Sequence, residues 1–470
     1  MSQTTNLVYN VKDRPGWGKT IVFALQQLLA ILAATVAVPA IVGNGMSPAA
    51  ALLGAGVGTL VYLLFTKFRS PVFLGSSFAF LGSMFAAFAG AASVSIGYLG
   101  LIIGAIFGGL VYVLIAIIVK FVGARWISLI MPAVVIGPTV AIIGLSLAGN
   151  AVGDLLSGSY KVQDALGNWV PTANIWLALT CGLITLFVTI LFSVYGKGFF
   201  KMIPFVMGIL AGYVYASIWT GIGHLANNDS LKLIDFAKFA NMEWLPKFVF
   251  IEAFKGFNDF GSAAEFGKYL LTIAVAYVPV AFVVFAEHIA DHKNLSSIIG
   301  SDLLEDPGLH RTLLGDGVGS MAGAFFGGCP NTTYGESIGT VAISGNASTI
   351  TIFVTAIAAI ILSFVGPFAT FLETIPACVM GGVCIALYGF IAVSGLKMLQ
   401  GVDLGDNRNL FVVSVILIAG IGGLTLTIAG TVTLTAVACA LILGIAVNAM
   451  VGFNRNRKKP EPKKQQEEDK

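Results

Sequence analysis

Charge is what this sequence has least of. Asp, Glu, Lys and Arg make up only 10% of its 470 residues, and 57% are hydrophobic. A soluble domain carries about 25% charge. That shortage excludes a water-soluble globular protein, and the mean hydropathy of +0.90 agrees. The apolar runs are long enough for membrane helices and too long for barrel strands. Cysteine is also scarce. Cys181, Cys329, Cys378, Cys384 and Cys439 lie in or beside apolar runs and show no metal-ligand spacing. They read as small buried side chains, which excludes a disulfide framework and a zinc centre. The four histidines form no zinc pattern either. No His-Glu-x-x-His and no nucleophile–base pair occurs, so an intramembrane enzyme is disfavoured and no cofactor is implied. A cleavable signal peptide is not expected, because the run from Thr20 to Val42 is too long and has no clear small-residue cleavage site.

Long apolar stretches fill the chain instead. Their lengths predict an all-α polytopic membrane protein with about fourteen transmembrane segments. The first spans 18–40, the third 77–90, the eighth 269–290, the ninth 313–327 and the tenth 333–344. The third and tenth are too short to cross at 1.5 Å per residue and are rich in Gly, Ser and Thr. Short extended stretches are expected there, because broken backbone survives at membrane depth only where protein or a wet cavity satisfies it. With the N-terminus inside, the expected inner segments hold Lys12, Arg14, Lys67, Arg69, Lys120, Lys197, Lys201 and Lys397, among others. This positive-inside bias places both termini in the cytoplasm.

The chain repeats itself. Leu52-Leu53-Gly54-Ala55-Gly56-Val57-Gly58 matches Leu313-Leu314-Gly315-Asp316-Gly317-Val318-Gly319. Pro132-Ala133-Val134-Val135-Ile136-Gly137 matches Pro376-Ala377-Cys378-Val379-Met380-Gly381. Gly75-Ser76-Ser77-Phe78-Ala79 sits opposite Asn331-Thr332-Thr333-Tyr334-Gly335. Each pair is seven segments apart, and an odd number per repeat inverts the halves, as in many secondary transporters. The expected organisation is a cytoplasmic N-terminus at 1–17, a first repeat at 18–221, an external loop with an interfacial helix at 222–268, a second repeat at 269–452 and a disordered cytoplasmic tail at 453–470.

Carboxylates in such a setting are costly and mark sites or proton paths. Glu336 follows the tenth segment directly, with no basic residue in the membrane interior to pair with it. Glu287 ends an uncharged run from Leu270; it is either a site residue or a helix-end charge. Asp291 is four residues on and shares its face. Two acids at that spacing repel, so one of them tends to keep a proton. Asp291 is otherwise a solvated loop residue. His288 points to another side of the helix, while His292 and His310 read as loop residues. Asp316 replaces Ala55 of the first repeat and reads as a structural ion pair or cap near Arg311 and His310. Gln27 either reaches the site or bonds another helix. Ser76, Ser77, Thr332 and Thr333 suit extended stretches that leave backbone N–H and C=O groups free.

At Leu25-Gln26-Gln27, Leu74-Gly75-Ser76-Ser77-Phe78-Ala79-Phe80, Ala286-Glu287-His288-Ile289 and Asn331-Thr332-Thr333-Tyr334-Gly335-Glu336 the chain resembles the nucleobase–ascorbate transporter family (nucleobase:cation symporter-2). Within it the likeness is to the bacterial uracil permeases and covers nearly the whole chain. The resemblance implies a seven-plus-seven inverted repeat divided into core and gate domains. It implies that Glu287 and Glu336 bond the uracil edge, that the backbones of Phe78 and Gly335 meet its polar atoms, and that Tyr334 lines the site. Gln27, Ser77, Asn331 and Thr333 would support it. Proton symport involving Glu287, Asp291 and His288, a homodimer through the gate domain and a place in the cell inner membrane are also implied. Asp291 and Gln27 stand where many uracil permeases carry His, changes that could widen the choice to xanthine or another base. The chemistry agrees: uracil has two N–H donors for carboxylates and two carbonyls for backbone N–H groups. The rivals are an anion transporter of the sulfate-permease type, which would favour a basic site, and a channel.

Overall fold

A computed structural model describes residues 7–123, 126–127, 131–163, 169–428 and 432–452. The tail expected to be disordered, 453–470, lies outside the described residues. In the first part of the chain, α1 (Trp17–Val42) and α2 (Pro48–Phe65) precede the short strand β1 (Leu74–Ser76), followed by α3 (Leu81–Ala89) and α4 (Val94–Val122). Then come α5 (Ala133–Ser146), α6 (Ala148–Leu155), a hairpin of β2 (Lys161–Gln163) and β3 (Trp169–Pro171), α7 (Ile175–Tyr195), α8 (Phe199–Met202) and α9 (Pro204–Leu225). After the segment 226–262, which holds the short α10 (Val249–Lys255), the order resumes with α11 (Ala263–Ile299), α12 (Leu309–Gly327), β4 (Asn331–Thr333), α13 (Gly335–Ser344), α14 (Thr349–Ser363) and α15 (Gly366–Thr374). The last elements are α16 (Ala377–Lys397), α17 (Asn407–Ile421), the hairpin of β5 (Leu426–Ile428) and β6 (Val432–Leu434), and α18 (Ala436–Gly452).

Eight helices among the described residues are long and apolar enough to cross a membrane, or nine if α14 and α15, bent by 84° at their break, count as one. The protein is therefore an all-α multi-pass membrane protein. Several helix starts are capped by side chains that satisfy first-turn N–H groups. Ser47 accepts from Ala50 ahead of α2, Ser93 from Ile96 ahead of α4 and Ser262 from Glu265 ahead of α11. α11 runs on to Ile299, so His292 is a buried helical residue and not a loop residue.

The helices form two packed groups. α2, α4 and α12 pack together with α1, α11 and α14, while α5, α7, α16 and α17 form the second group. Segments with matching sequence meet in pairs: α2 lies against α12, and α5 against α16. Glycine allows the close approach. A Cβ on Gly54 would sit 2.3 Å from the Gly323 carbonyl oxygen, and one on Gly144 2.2 Å from that of Tyr388. The outward faces of α7 and α9 carry exposed apolar residues such as Phe187, Leu191, Val214 and Ile218, as a lipid-facing surface requires.

Candidate functional site

Two short strands, at the leading edges of the apolar stretches 77–90 and 333–344, build the site. β1 and β4 pair antiparallel in the register Leu74↔Thr333, Gly75↔Thr332 and Ser76↔Asn331. Two strands of three residues cannot stand alone, and side chains from the helices complete their bonding. Thr59 of α2 contacts both the N–H and the C=O of Leu74, at 2.9 and 3.2 Å. Ser320 of α12 accepts from the Asn331 N–H at 3.0 Å, and the Asn331 amide donates to the Gly54 carbonyl at 3.0 Å. Ser337 accepts from the Phe73 N–H at 2.9 Å and is also bonded by the Gln27 amide. The Tyr334 hydroxyl donates to the Ser76 carbonyl at 2.7 Å. Its ring fills the space over Gly75, where a Cβ would sit 2.2 Å from it.

Each strand leads into a helix through a backbone that leaves donors free. The N–H groups of Phe78 and Gly335 have no partner among the described residues. Gly335 opens α13, so its N–H is one of the first-turn donors that the helix cannot use. Glu336 is the next residue.

A cavity of about 350 Å³ lies against this crossing. Phe78, Tyr334, Gly335 and Glu336 line it with Thr332 and Thr333. Glu287 and Asp291 reach it from α11, one turn apart. The Thr333 hydroxyl donates to Asp291 Oδ2 at 2.7 Å. The opposite wall comes from the second helix group: Val140 and Ile143 of α5, Phe205 of α9, and Leu387, Phe390 and Ile391 of α16. Tyr388 meets the Phe78 ring edge to face at 5.8 Å. Toward its other end lie Ile343, Met398 and Lys201. Residues 8–11 hydrogen-bond the chain at 345–349, just beyond α13, so that end lies on the face that carries the N-terminal segment.

Among the residues expected at the site, Glu287, Asp291, Glu336, Phe78, Tyr334, Gly335 and Thr333 line this one cavity. Gln27 and Asn331 stand behind it and brace the crossing. Ser77 is buried there, its N–H bonded to the Pro330 carbonyl at 2.9 Å. His288 faces away from the cavity and bonds Asp316. The expected Asp316 partners, Arg311 and His310, are therefore replaced by a buried histidine. The apolar wall from α5, α9 and α16 carried no sequence signal, because nothing separates those side chains from lipid-facing ones except their direction. No group of three or more metal-ligating side chains occurs among the described residues.

A carboxylate pair, free N–H donors and apolar walls can hold a flat, neutral molecule with N–H donors and carbonyl acceptors around its rim. A family model described as the Permease family matches residues 18–429. The chain is 39% identical over 449 residues to a uracil permease of Bacillus caldolyticus, covering 95% of this chain and 93% of that one. It is 37% identical over 428 residues to a uracil permease of Escherichia coli strain K12, covering 90% and 89%. Among solved structures, the transmembrane domain of the cyanobacterial bicarbonate transporter BicA aligns over 96% of this chain and 100% of its own, with TM-score 0.61 and 14% identity. The likeness to SLC26A9 has TM-score 0.64 and 11% identity, over 94% of this chain and 66% of that one. At such identities the shared property is the fold.

Proposed function

This chain belongs to the Permease family and is a membrane transporter, and on that premise we propose that it imports a nucleobase, uracil first, by proton symport. The observation that carries the reading is the convergence of Glu287, Glu336 and the free N–H groups of Phe78 and Gly335 on one cavity. The carboxylates accept the two ring N–H donors, and the backbone donors meet the carbonyls. Tyr334 and Phe78 flank the ring. A site that matches every polar atom rejects analogues lacking one. Relatives named as uracil permeases over nearly the whole chain support the choice of base.

Proton coupling rests on Glu287 and Asp291, one helical turn apart and both at the cavity. Acids so close do not both ionise readily, so one proton is shared between them and travels with the base. His288, next in sequence to Glu287, belongs to the same coupling. Asp291 also supports a second reading: as a third carboxylate it would accept a third N–H, which xanthine has and uracil lacks. Three acids at one cavity disfavour the anion reading, and the likeness to bicarbonate and anion transporters concerns fold alone.

In this proposal the helices make fourteen segments in a seven-plus-seven inverted repeat. α1–α4 and α11–α14 form the core, and α5–α9 and α16–α18 the gate. Pairing of β1 with β4 and packing of α2 on α12 support that symmetry. Both termini are cytoplasmic, the protein lies in the cell inner membrane, and two copies associate through the gate. The test is uptake of labelled uracil into proteoliposomes under imposed gradients, with xanthine as competitor. Accumulation should follow an inward proton gradient and collapse with a protonophore. Accumulation that survives the protonophore and needs sodium would overturn the coupling, and preferential uptake of xanthine would overturn the choice of base.

A further inference from the structure

Behind Glu287 lies a set of buried polar groups that the base does not touch. His288 and Asp316 are each 1% exposed and absent from the cavity wall. His288 Nδ1 is 2.7 Å from Asp316 Oδ2, and His288 Nε2 is 3.0 Å from the Thr312 hydroxyl. That hydroxyl in turn donates to the Leu309 carbonyl at 3.1 Å. Its single proton is thereby committed, so His288 Nε2 must be the donor toward Thr312. The proton between Nδ1 and Oδ2 is then a second one on the pair. Written as imidazolium with carboxylate or as imidazole with carboxylic acid, the pair is neutral overall and carries one proton more than a bare carboxylate beside a neutral ring. Asp316 Oδ1 points to the same conclusion: it is buried with no partner among the described residues, which a full carboxylate charge tolerates poorly.

The surroundings hold that proton on the pair. His292 donates Nδ1–H to the His288 carbonyl at 2.8 Å, and its Nε2 meets the Tyr62 hydroxyl at 2.7 Å. Ser70 lies 2.7 Å from that hydroxyl. His292 stacks on His288 at a centroid distance of 4.0 Å. From α4, Tyr112 presents its ring edge-on to His288 at 6.1 Å, and its hydroxyl has no partner. The other titratable groups near the pair are Glu287 and Asp291, on the cavity side of the same helix. No lysine or arginine ion-pairs with Asp316 among the described residues.

We propose that the His288–Asp316 pair is a proton-binding site of the transport cycle, separate from the carboxylates that contact the base and loaded in the conformation described. The inference rests on the symport reading and gives the proton that Glu287 and Asp291 exchange with the cavity its resting place on a pair that the substrate cannot displace. When the base departs through the cavity, the proton leaves the pair on its own, and the pair becomes a net negative charge one residue from Glu287.

The experiment compares two readouts in proteoliposomes holding the full chain: base-for-base exchange, which needs no net proton movement, and accumulation under an inward gradient of one pH unit. Such a gradient supports roughly tenfold accumulation per coupled proton. Asp316→Asn keeps the shape of the side chain and cannot lose a proton. It is expected to reach no accumulation above the external concentration while exchange persists, and His288→Gln is expected to behave likewise. Proton uptake on uracil binding, read with a pH indicator in weak buffer, should fall in both. An Asp316→Asn protein that accumulates uracil like wild type overturns this proposal alone. Loss of uracil binding and exchange in both variants also overturns it, because the pair is then scaffolding. Wild-type accumulation that survives a protonophore overturns the symport reading first and the proton site with it.

Discussion

Replacing Gly75 by alanine tests the strand crossing most directly. The new Cβ would stand 2.2 Å from two carbons of the Tyr334 ring and 2.8 Å from a third. Carbon atoms rest comfortably at about 3.5–4.0 Å, so the ring must move by more than about 1 Å. Tyr334 is 4% exposed and closely surrounded, and the open direction is the cavity that it lines. Moving it breaks the 2.7 Å bond to the Ser76 carbonyl. Overpacking costs about 1–3 kcal/mol and the lost hydrogen bond about 0.5–1.5, so Gly75→Ala should destabilise by about 1.5–4.5 kcal/mol. The displaced ring also enters the cavity proposed for the base. If only 1.4 kcal/mol of the strain reaches the site, the uracil Kd rises about tenfold. Thermal unfolding in detergent and equilibrium binding of labelled uracil measure the two effects. Gly267→Ala is the control, since its Cβ meets nothing within 4 Å, and a helical Gly→Ala change should stabilise by up to about 1 kcal/mol. A Gly75→Ala protein with wild-type Tm and wild-type affinity would refute the reasoning.

The remaining expectations are shorter. Glu336→Gln removes a charge-assisted acceptor worth about 1.5–3 kcal/mol; calorimetry should show a Kd for uracil raised roughly 10- to 150-fold. A Cβ at Gly335 meets nothing within 4 Å, so Gly335→Val should fold and reach the membrane. Its side chain enters the cavity, and uptake should be lost, whereas Phe78→Leu keeps the peptide N–H and should be milder; the reverse order of activities would sink the backbone account. Outside the membrane, Lys255 and then Ser95 bond the Glu252 carboxylate at 2.7 and 2.6 Å and hold its pKa below the usual value. A depressed carboxylate stabilises above its unfolded pKa, and that share is lost as pH falls through the folded value. The wild-type Tm should therefore drop more than that of Glu252→Gln when the pH is taken from neutrality to below about 4, and equal drops would remove Glu252 from the account.

Much of this site was legible in the sequence because its signals were local. Glu287, Asp291 and Glu336 stood out as acids in apolar surroundings, and the short Gly-, Ser- and Thr-rich segments marked where helix had to give way to strand. Matching repeats told which strand would face which. The rest depended on direction and not on identity. Asp316 has a basic neighbour in sequence, yet α12 turns it inward onto His288. His292 follows a run that ends in polar residues, and only the continuation of α11 to Ile299 buries it. The hairpins β2–β3 and β5–β6 sit at segment ends where length arguments read continuous apolar runs or loops. The helices of the opposite wall are apolar on every face, so periodicity could not single out Phe390 or Leu387.

The pairing of β1 with β4 also sets a timetable for making the protein. Tyr334, whose hydroxyl closes the crossing, follows Ser76 by 258 residues. At about 5–20 residues per second, a ribosome needs roughly 13–50 s to cover that distance. Until then β1 carries peptide groups that pair only with β4, and unpaired peptide groups are costly in lipid. The first half must wait in a provisional form, in water at the membrane surface or held by the insertion machinery. The central sheet forms only when most of the chain has emerged. A nascent chain stopped before residue 331 therefore lacks the strand crossing and the cavity beside it, however many of its helices are already in the membrane.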